Sequence, residues 1–254
     1  MHEPAAIGTL PGQVPRRPAH GWWPYLAPIF SFLGLLEIGR RAGPGLAPGM
    51  ALATVFVPFG VFLFHAWRSG YPELRGLPPG AKGLAGDVAV GVLGAALWVA
   101  PYLWIASARP GPDAAFDPQQ FGASREWLAL SLRALGFAVV TPFIEELFVR
   151  SFVTRYADVF DRSEDFRDVP IGRYSVRSFA IVVIYFTVSH ATWEWPVALL
   201  WIVLTQLWFY RRRHLLPLVL VHAVSNLSIF LFVVLGSGRL TDTDGSPLSL
   251  WFFL

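Results

Sequence analysis

Cysteine is absent from the 254 residues, which excludes disulfide bonds, thiol nucleophiles and zinc sites built on cysteine. Charge is scarce as well, since Asp, Glu, Lys and Arg together make up 15% of the chain. Hydrophobic residues, in contrast, make up 54%, and the mean hydropathy is +0.50. Soluble domains typically carry about 25% charged residues. The composition therefore favours a membrane protein, and a net charge of only +3 does not indicate a nucleic-acid-binding surface.

Seven apolar segments have lengths near the ~20 residues that a helix needs to cross a bilayer. They predict an all-α protein, a polytopic transmembrane bundle of about seven helices, with six to eight allowed. The fifth and sixth segments are short, and could form two half-buried helices joined by a tight turn at Trp193–Pro196. In chain order the segments are 22–38, 50–67, 87–107, 127–153, 178–192, 196–210 and 214–235.

We divide the chain into four parts by composition. Residues 1–21 form a polar, proline-rich arm, which lacks the apolar core of a cleaved signal. Residues 22–107 hold the first transmembrane helices, 108–236 hold the polar motifs described below, and 237–254 form a tail. The tail ends in apolar and aromatic residues, so we expect it to lie at the membrane interface or to pack on the bundle.

Basic residues are distributed unequally between the two sides of the predicted bundle. If the N-terminus is cytoplasmic, the arm, 68–86, 154–177 and 211–213 share the cytoplasmic side and carry 13 Lys and Arg. The opposite side carries 5, among them Arg40 and Arg41. Because cytoplasmic loops are enriched in Lys and Arg, we predict an N-terminus in the cytoplasm. The expected location is a membrane, such as the bacterial inner membrane.

Two adjacent carboxylates and an arginine lie inside the fourth apolar segment, in the sequence E-E-L-F-V-R. Each ionisable group costs about 2.5–3.5 kcal/mol on insertion scales, so such groups by default mark a functional site. Glu146 and Arg150 are spaced i, i+4, which favours an ion pair within the helix. Glu145 points about 100° away from Glu146 and remains available as a general base. The alternative is that a Glu–Arg pair merely locks two helices together.

Two further polar pairs lie in later segments, Phe186-x-x-x-His190 and His222-x-x-x-Asn226. Each pair occupies one helix face. A histidine or an asparagine in a spanning helix can also serve only as a hydrogen-bonding contact between helices. From the helix ends, Glu145 and His222 lie at similar depths. We therefore expect one cavity that opens on the side of 154–177, with that loop as a gate or substrate dock. Glu194 could orient His190 or only sit in the turn that follows it, and we favour the turn.

The three motifs together are similar to those of a known family. E-E-L-F-V-R, F-T-V-S-H and H-A-V-S-N resemble EExxxR, FxxxH and HxxxN/D of the CPBP family, the CAAX-protease and bacteriocin-processing (ABI) intramembrane proteases. The resemblance covers about 128–235. The stretch F-R-D-V-P-I-G-R-Y-S further resembles a bacterial subgroup encoded with exosortase/PEP-CTERM sorting systems. In this chain Ser151 stands where the family often has glycine.

The resemblance implies an intramembrane endopeptidase similar to type II CAAX prenyl proteases. Glu145 would activate water, His190 would hold that water, and His222 and Asn226 would stabilise the oxyanion. The supporting residues would be Glu146, Arg150 and Phe186. The partners implied are membrane lipids and a peptide or protein substrate, lipidated or membrane-embedded, and no nucleic acid.

A zinc-dependent form of the same reaction stays open. Glu145, His190 and His222 could supply three zinc ligands and leave a fourth position for water. We prefer a metal-free reaction, because HExxH is absent and Glu145 and Glu146 cannot both aim at one ion. A non-catalytic scaffold or immunity-type binding protein is the alternative function. A transporter would show inverted repeats or paired broken helices, which the sequence lacks.

Overall fold

A computed structural model describes residues 21–68, 70–76, 80–111, 114–242 and 245–254, so residues 1–20 of the predicted arm lie outside it. The described residues form seven helices and no strand, which confirms the predicted all-α bundle. The helices are α1 (Trp23–Arg41), α2 (Ala47–Arg68), α3 (Ala81–Trp104), α4 (126–156), α5 (Val176–Val188), α6 (Trp195–Arg212) and α7 (Leu215–Gly236).

Four of the described helices, α2, α3, α4 and α7, are long and apolar enough to cross a membrane. Helix α5 is apolar but has only 13 residues, as the short fifth segment predicted. Many large apolar side chains on these helices are exposed, for example Phe56 on α2 and Leu231 on α7. Exposed apolar surface of this extent suits contact with lipid, and the chain is an integral membrane protein.

Small residues bring α3 and α7 into close contact. A Cβ atom on Gly91 would lie 2.8 Å from the carbonyl oxygen of Val221. The hydroxyl of Ser225 donates to the carbonyl of Gly91 at 2.7 Å. One turn further, a Cβ on Gly94 would lie 2.9 Å from the indole nitrogen of Trp201. The glycines therefore allow the backbones to approach, which is how membrane helices commonly pack.

The loops separate into two groups at opposite ends of the bundle. At one end, Gly172 contacts Arg213, Gly76 contacts His214, and Gly21 contacts Arg167. These contacts bring together the described parts of the four basic regions predicted to share a side. At the other end, the tail packs on the bundle. The backbone N–H of Phe116 donates to the carbonyl of Trp251 at 3.1 Å, and Leu250 is fully buried.

Helix α4 is interrupted twice by π-helical turns, at Gly136–Val140 and Leu147–Val153. The two turns flank Thr141–Glu146, the segment that carries both carboxylates. In the first turn the N–H of Thr141 donates to the carbonyl of Gly136, five residues back. If the same spacing of five residues continued, the carbonyl of Phe137 would accept from the N–H of residue 142. That residue is proline, which has no N–H. Proline therefore leaves the carbonyl of Phe137 without a backbone donor in this register.

A buried ion pair lies at the end of the bundle that carries the basic loops. The guanidinium of Arg155, on α4, pairs with Glu73 in the loop after α2. The hydroxyls of Tyr25 and Ser151 also donate to Glu73, at 2.7 and 2.9 Å. Burial alone would raise the pKa of Glu73, but the charge of Arg155 and these hydrogen bonds outweigh it and hold that pKa below its usual value.

Glu73 is expected to make the stability of the protein depend on pH. Its lowered pKa in the folded state contributes stability that is present above the unfolded pKa, about 4.3, and is lost as the pH falls through the folded pKa. Glu73→Gln should therefore flatten the acid side of the melting-temperature profile, measured in detergent. The matched control is Glu164→Gln in an exposed loop, which should retain the wild-type profile. An unchanged profile for Glu73→Gln would contradict this expectation.

Candidate active site

The centre of the bundle holds the ion pair that the motif spacing predicts. Glu146 Oε2 accepts from Arg150 Nε at 2.9 Å. Arg150 Nη2 donates to the hydroxyl of Thr205 at 2.8 Å, and Nη1 donates to the side-chain carbonyl of Gln206. Arg150 has no exposed surface. The arginine therefore binds α4 to α6 as well as pairing with its own helix.

His222 connects this network to the second carboxylate. Its Nδ1 lies 3.0 Å from Glu146 Oε1, and its Nε2 lies 4.0 Å from Glu145 Oε2. Because Glu146 is ion-paired and accepts hydrogen bonds, Nδ1 of His222 is the donor in this contact. The remaining nitrogen, Nε2, then faces Glu145. The two adjacent carboxylates thus have different surroundings, since the side chain of Glu146 is 3% exposed and that of Glu145 is 28% exposed.

His190 lies just beyond the C-terminal end of α5. Its Nδ1 is 2.7 Å from the carbonyl oxygen of Phe186, four residues earlier. The last carbonyls of a helix lack backbone partners, so this contact satisfies one of them and makes Nδ1 the donor. Nε2 of His190 is left as an acceptor. Glu194 instead accepts from the backbone N–H of Ala191 at 3.1 Å, in agreement with its predicted role in the turn.

Aromatic rings connect the two histidines. The ring of His190 lies 4.5 Å from that of Phe186, which stacks on Trp201 at 5.0 Å, and Trp201 meets His222 at 4.8 Å. The indole of Trp201 also donates to Ser225. Aromatic pairs at such distances restrict one another's orientation. Phe186 therefore contacts His190 directly, through its ring and its carbonyl, and is connected to His222 only through Trp201.

Asn226 uses part of its amide within the bundle. Its Nδ2 donates to the carbonyl of Phe137 at 2.7 Å, the acceptor that the π-helical turn and Pro142 leave free. This contact joins α7 to α4. It agrees with the alternative that an asparagine in a spanning helix forms a hydrogen-bonding contact between helices. The second N–H of the amide is not used by this bond, and Asn226 also lines the cavity described next.

A cavity of about 350 Å³ brings the predicted residues together. Its lining includes Glu145, Phe186, His190, His222 and Asn226. Several of the other lining residues come from the end of the bundle that carries the tail: Ala114, Trp193, Phe252, Phe253 and Leu254. No residue of 154–177 lines the cavity. The expectation that the site opens beside this loop, with the loop as its gate, was wrong.

The side chains at that end explain the error. Tyr25, Phe152, Tyr156 and Phe166 pack their rings together, with centroids 5.1 to 6.4 Å apart. At the same end, a separate cavity of about 690 Å³ is lined by Tyr25, Glu73 and Arg155 and not by the two carboxylates. Depth alone, counted in residues from the helix ends, does not reveal which residues line a cavity.

No three His, Asp or Glu side chains among the described residues form a group that could hold a metal ion. Glu145, His190 and His222 line one cavity, but as arranged they are not a ready three-ligand zinc site. A metal fit is therefore weak for the residues present.

Three residues of the site were missed from the sequence: Trp201, Thr205 and Gln206 on α6. Thr205 and Gln206 are uncharged and are fully buried. A signal existed, because adjacent polar residues interrupt an otherwise apolar helix four and five residues after Trp201. Their partner, Arg150, could not be identified from spacing alone, since it lies on a different helix.

The fold and the site together define a helical membrane protein with a buried carboxylate–histidine centre. Residues 127–228 match the family model described as Type II CAAX prenyl endopeptidase Rce1-like. This segment contains all three motifs, so the motif-bearing part of the chain is similar to that family, in agreement with the resemblance found in the sequence. The family, by its description, is one of protease-type enzymes. No curated protein and no solved structure matches the chain significantly.

Proposed function

We propose that the protein is a glutamate-dependent intramembrane endopeptidase. The observation that carries this proposal is the unequal environment of the two carboxylates. Glu146 is held by Arg150 and His222, whereas Glu145 lines the cavity beside both histidines. Such a division suits a reactive general base next to a fixed partner.

In the proposed reaction, Glu145 takes a proton from a water molecule, and the resulting hydroxide adds to the carbonyl carbon of the scissile bond. His190 accepts a hydrogen bond from this water through Nε2. His222, protonated at Nε2, and the second N–H of Asn226 donate to the oxyanion. When the C–N bond breaks, Glu145 returns the proton to the leaving nitrogen. Glu146 and Arg150 support the site by fixing His222.

The substrate in this proposal is a peptide segment held at or in the bilayer. The charge bias of 13 to 5 supports a cytoplasmic N-terminus, with the cavity at the opposite end of the bundle. That arrangement favours entry from the side, through the lipid, over entry past the 154–177 loop. Because the chain contains no cysteine, single cysteines at 161 and 117 would report orientation by labelling in intact cells. Preferential labelling at 161 from outside would reverse the proposed orientation.

The test is cleavage of a labelled, farnesylated peptide ending in Cys-aliphatic-aliphatic-X by the purified protein in detergent. The same peptide without the farnesyl group shows whether lipidation is required. Wild type is compared with Glu145→Ala, each with and without a strong chelator. If Glu145→Ala loses cleavage and the chelator has no effect on wild type, the metal-free proposal is supported. If the chelator abolishes cleavage by wild type and added zinc restores it, the reaction depends on a metal. If Glu145→Ala cleaves like wild type, or if wild type cleaves neither peptide, the scaffold function is favoured.

A further inference from the structure

The side chain of Arg133, on α4, makes no hydrogen bond or ion pair among the described residues. Its Nε atom is buried without a partner. Its guanidinium lies instead against two rings, 5.7 Å from the centroid of Phe116 and 5.1 Å from that of Phe137. A guanidinium has five N–H donors, and buried charges are otherwise paired. This arginine is therefore available to bind an anion.

Two cavities meet at Arg133. The first contains Glu145 and the histidines. The second, of about 520 Å³, lies between α1, α2 and α4 and is lined largely by apolar residues, such as Leu36, Met50 and Leu132. Arg133, Phe137, Thr141 and Glu145 line both cavities. The cation therefore lies where an apolar passage reaches the carboxylate site.

We propose that Arg133 is a specificity-determining residue that binds a carboxylate of the substrate and so fixes which bond reaches Glu145. This inference rests on the proposed function and adds the chemistry of the substrate. A guanidinium binds a carboxylate through two parallel hydrogen bonds. The rings of Phe116 and Phe137 cover part of the guanidinium, and an ionic contact is stronger where the surroundings are less polar than water. A lipid headgroup is a poorer fit, because Arg133 shares its cavity with the site residues.

The spacing limits where the carboxylate can lie in the substrate. Residues 133 and 145 are twelve positions apart on one helix, about 18 Å at 1.5 Å per residue. An extended peptide covers about 3.3 Å per residue. The carboxylate therefore lies within about five residues of the scissile bond, and the reach of both side chains shortens this number.

The test measures binding separately from cleavage. Glu145→Ala protein in detergent is titrated with three labelled farnesylated peptides that differ only at the end: a free carboxylate, a carboxamide, and a carboxamide with glutamate as the last residue. Charge-assisted hydrogen bonds contribute about 1.5–3 kcal/mol, so the carboxamide should bind at least about tenfold more weakly than the free acid. The glutamate peptide shows whether a side-chain carboxylate substitutes for the terminal one.

Arg133→Gln in the same background should remove the difference between acid and carboxamide. Arg133→Lys keeps the positive charge but lacks the planar guanidinium, so it should retain part of the difference in affinity between the two peptides. The matched control is Arg125→Gln, an exposed arginine before α4, which should discriminate like its parent. Melting temperatures confirm that each variant is folded. An acid preference that survives in Arg133→Gln, or no binding of any peptide, would overturn the inference.

Cleavage by the otherwise unaltered protein separates this inference from the proposed function. If Arg133→Gln lowers kcat/KM for the acid peptide to the value for the carboxamide peptide, both the role of Arg133 and the protease function are supported. If the acid is preferred in binding but no peptide is cleaved, the carboxylate site stands and the protease function falls. If cleavage depends on Glu145 but Arg133→Gln keeps the acid preference, only the inference about Arg133 falls.

Discussion

Glu145→Gln is expected to lower kcat for peptide cleavage by about 10²–10⁴-fold, the usual contribution of a general base. The substitution keeps the shape of the side chain and removes its ability to accept a proton from water. Because Glu145 lies in the cavity and makes no hydrogen bond to the Arg150 network, its loss should leave the unfolding temperature close to that of wild type. The measurements are steady-state kinetics on the labelled peptide and thermal unfolding in the same detergent.

Two neighbouring carboxylates provide matched comparisons for this variant. Glu146→Gln removes the partner of buried Arg150, so it should lower both activity and unfolding temperature. Glu194→Gln retains an acceptor for the N–H of Ala191 and should cleave at a rate close to wild type, although Glu194 lines the same cavity. If all three variants lost activity to a similar extent without loss of stability, Glu145 would not have a distinct chemical role.

Arg150→Met is expected to lower the free energy of unfolding by about 3–5 kcal/mol. Removing one member of a buried ion pair leaves the other charge uncompensated, which accounts for costs of this size. The variant would also leave Thr205 and Gln206 without the donors that join α6 to α4. Denaturant-induced unfolding in micelles, followed by circular dichroism, measures the change.

Arg40→Met is the control for this prediction. Arg40 forms an ion pair with Glu37 on the surface, where its side chain is 75% exposed, and surface pairs contribute about 0–1 kcal/mol. Arg150→Lys preserves the charge but cannot reach three partners in fixed directions, so its stability should fall between wild type and Arg150→Met. Equal unfolding curves for Arg150→Met and Arg40→Met would show that the buried network does not hold the bundle together.

The helices could be predicted from the sequence because each carries its own apolar signal. All seven predicted segments correspond to helices, and the largest errors are at the ends of α3 and α5, where turns and short 3₁₀ segments decide where a helix begins or ends. The π-helical turns in α4 had no such signal. Pro142 and donors on other helices accompany them, for example the amide of Asn226, which donates to the carbonyl of Phe137.

The residues of the site were easier to identify than their surroundings. Charged and polar groups are rare in the apolar segments, so Glu145, Glu146, His190 and His222 were evident from chain position alone. Helix packing decides which side chains on other helices form hydrogen bonds with these groups. Gln206, which accepts from Arg150, was missed for this reason. Which loops line the cavity depends on how the helices pack together, a long-range effect that counting along helices does not include.

The short helix α5 has a consequence for the supply of water, which a hydrolase consumes as its second substrate. Thirteen residues rise about 20 Å, less than the ~30 Å of a hydrocarbon core, so we expect the turn after α5 to lie below the headgroups. Non-helical backbone at that depth is tolerated only where it is covered by protein or lines a water-filled cavity. Tyr102 donates to the carbonyl of Trp193, and Glu194 satisfies the N–H of Ala191. Since the turn also lines the cavity at Glu145, we expect water to reach the carboxylate past this turn without crossing lipid.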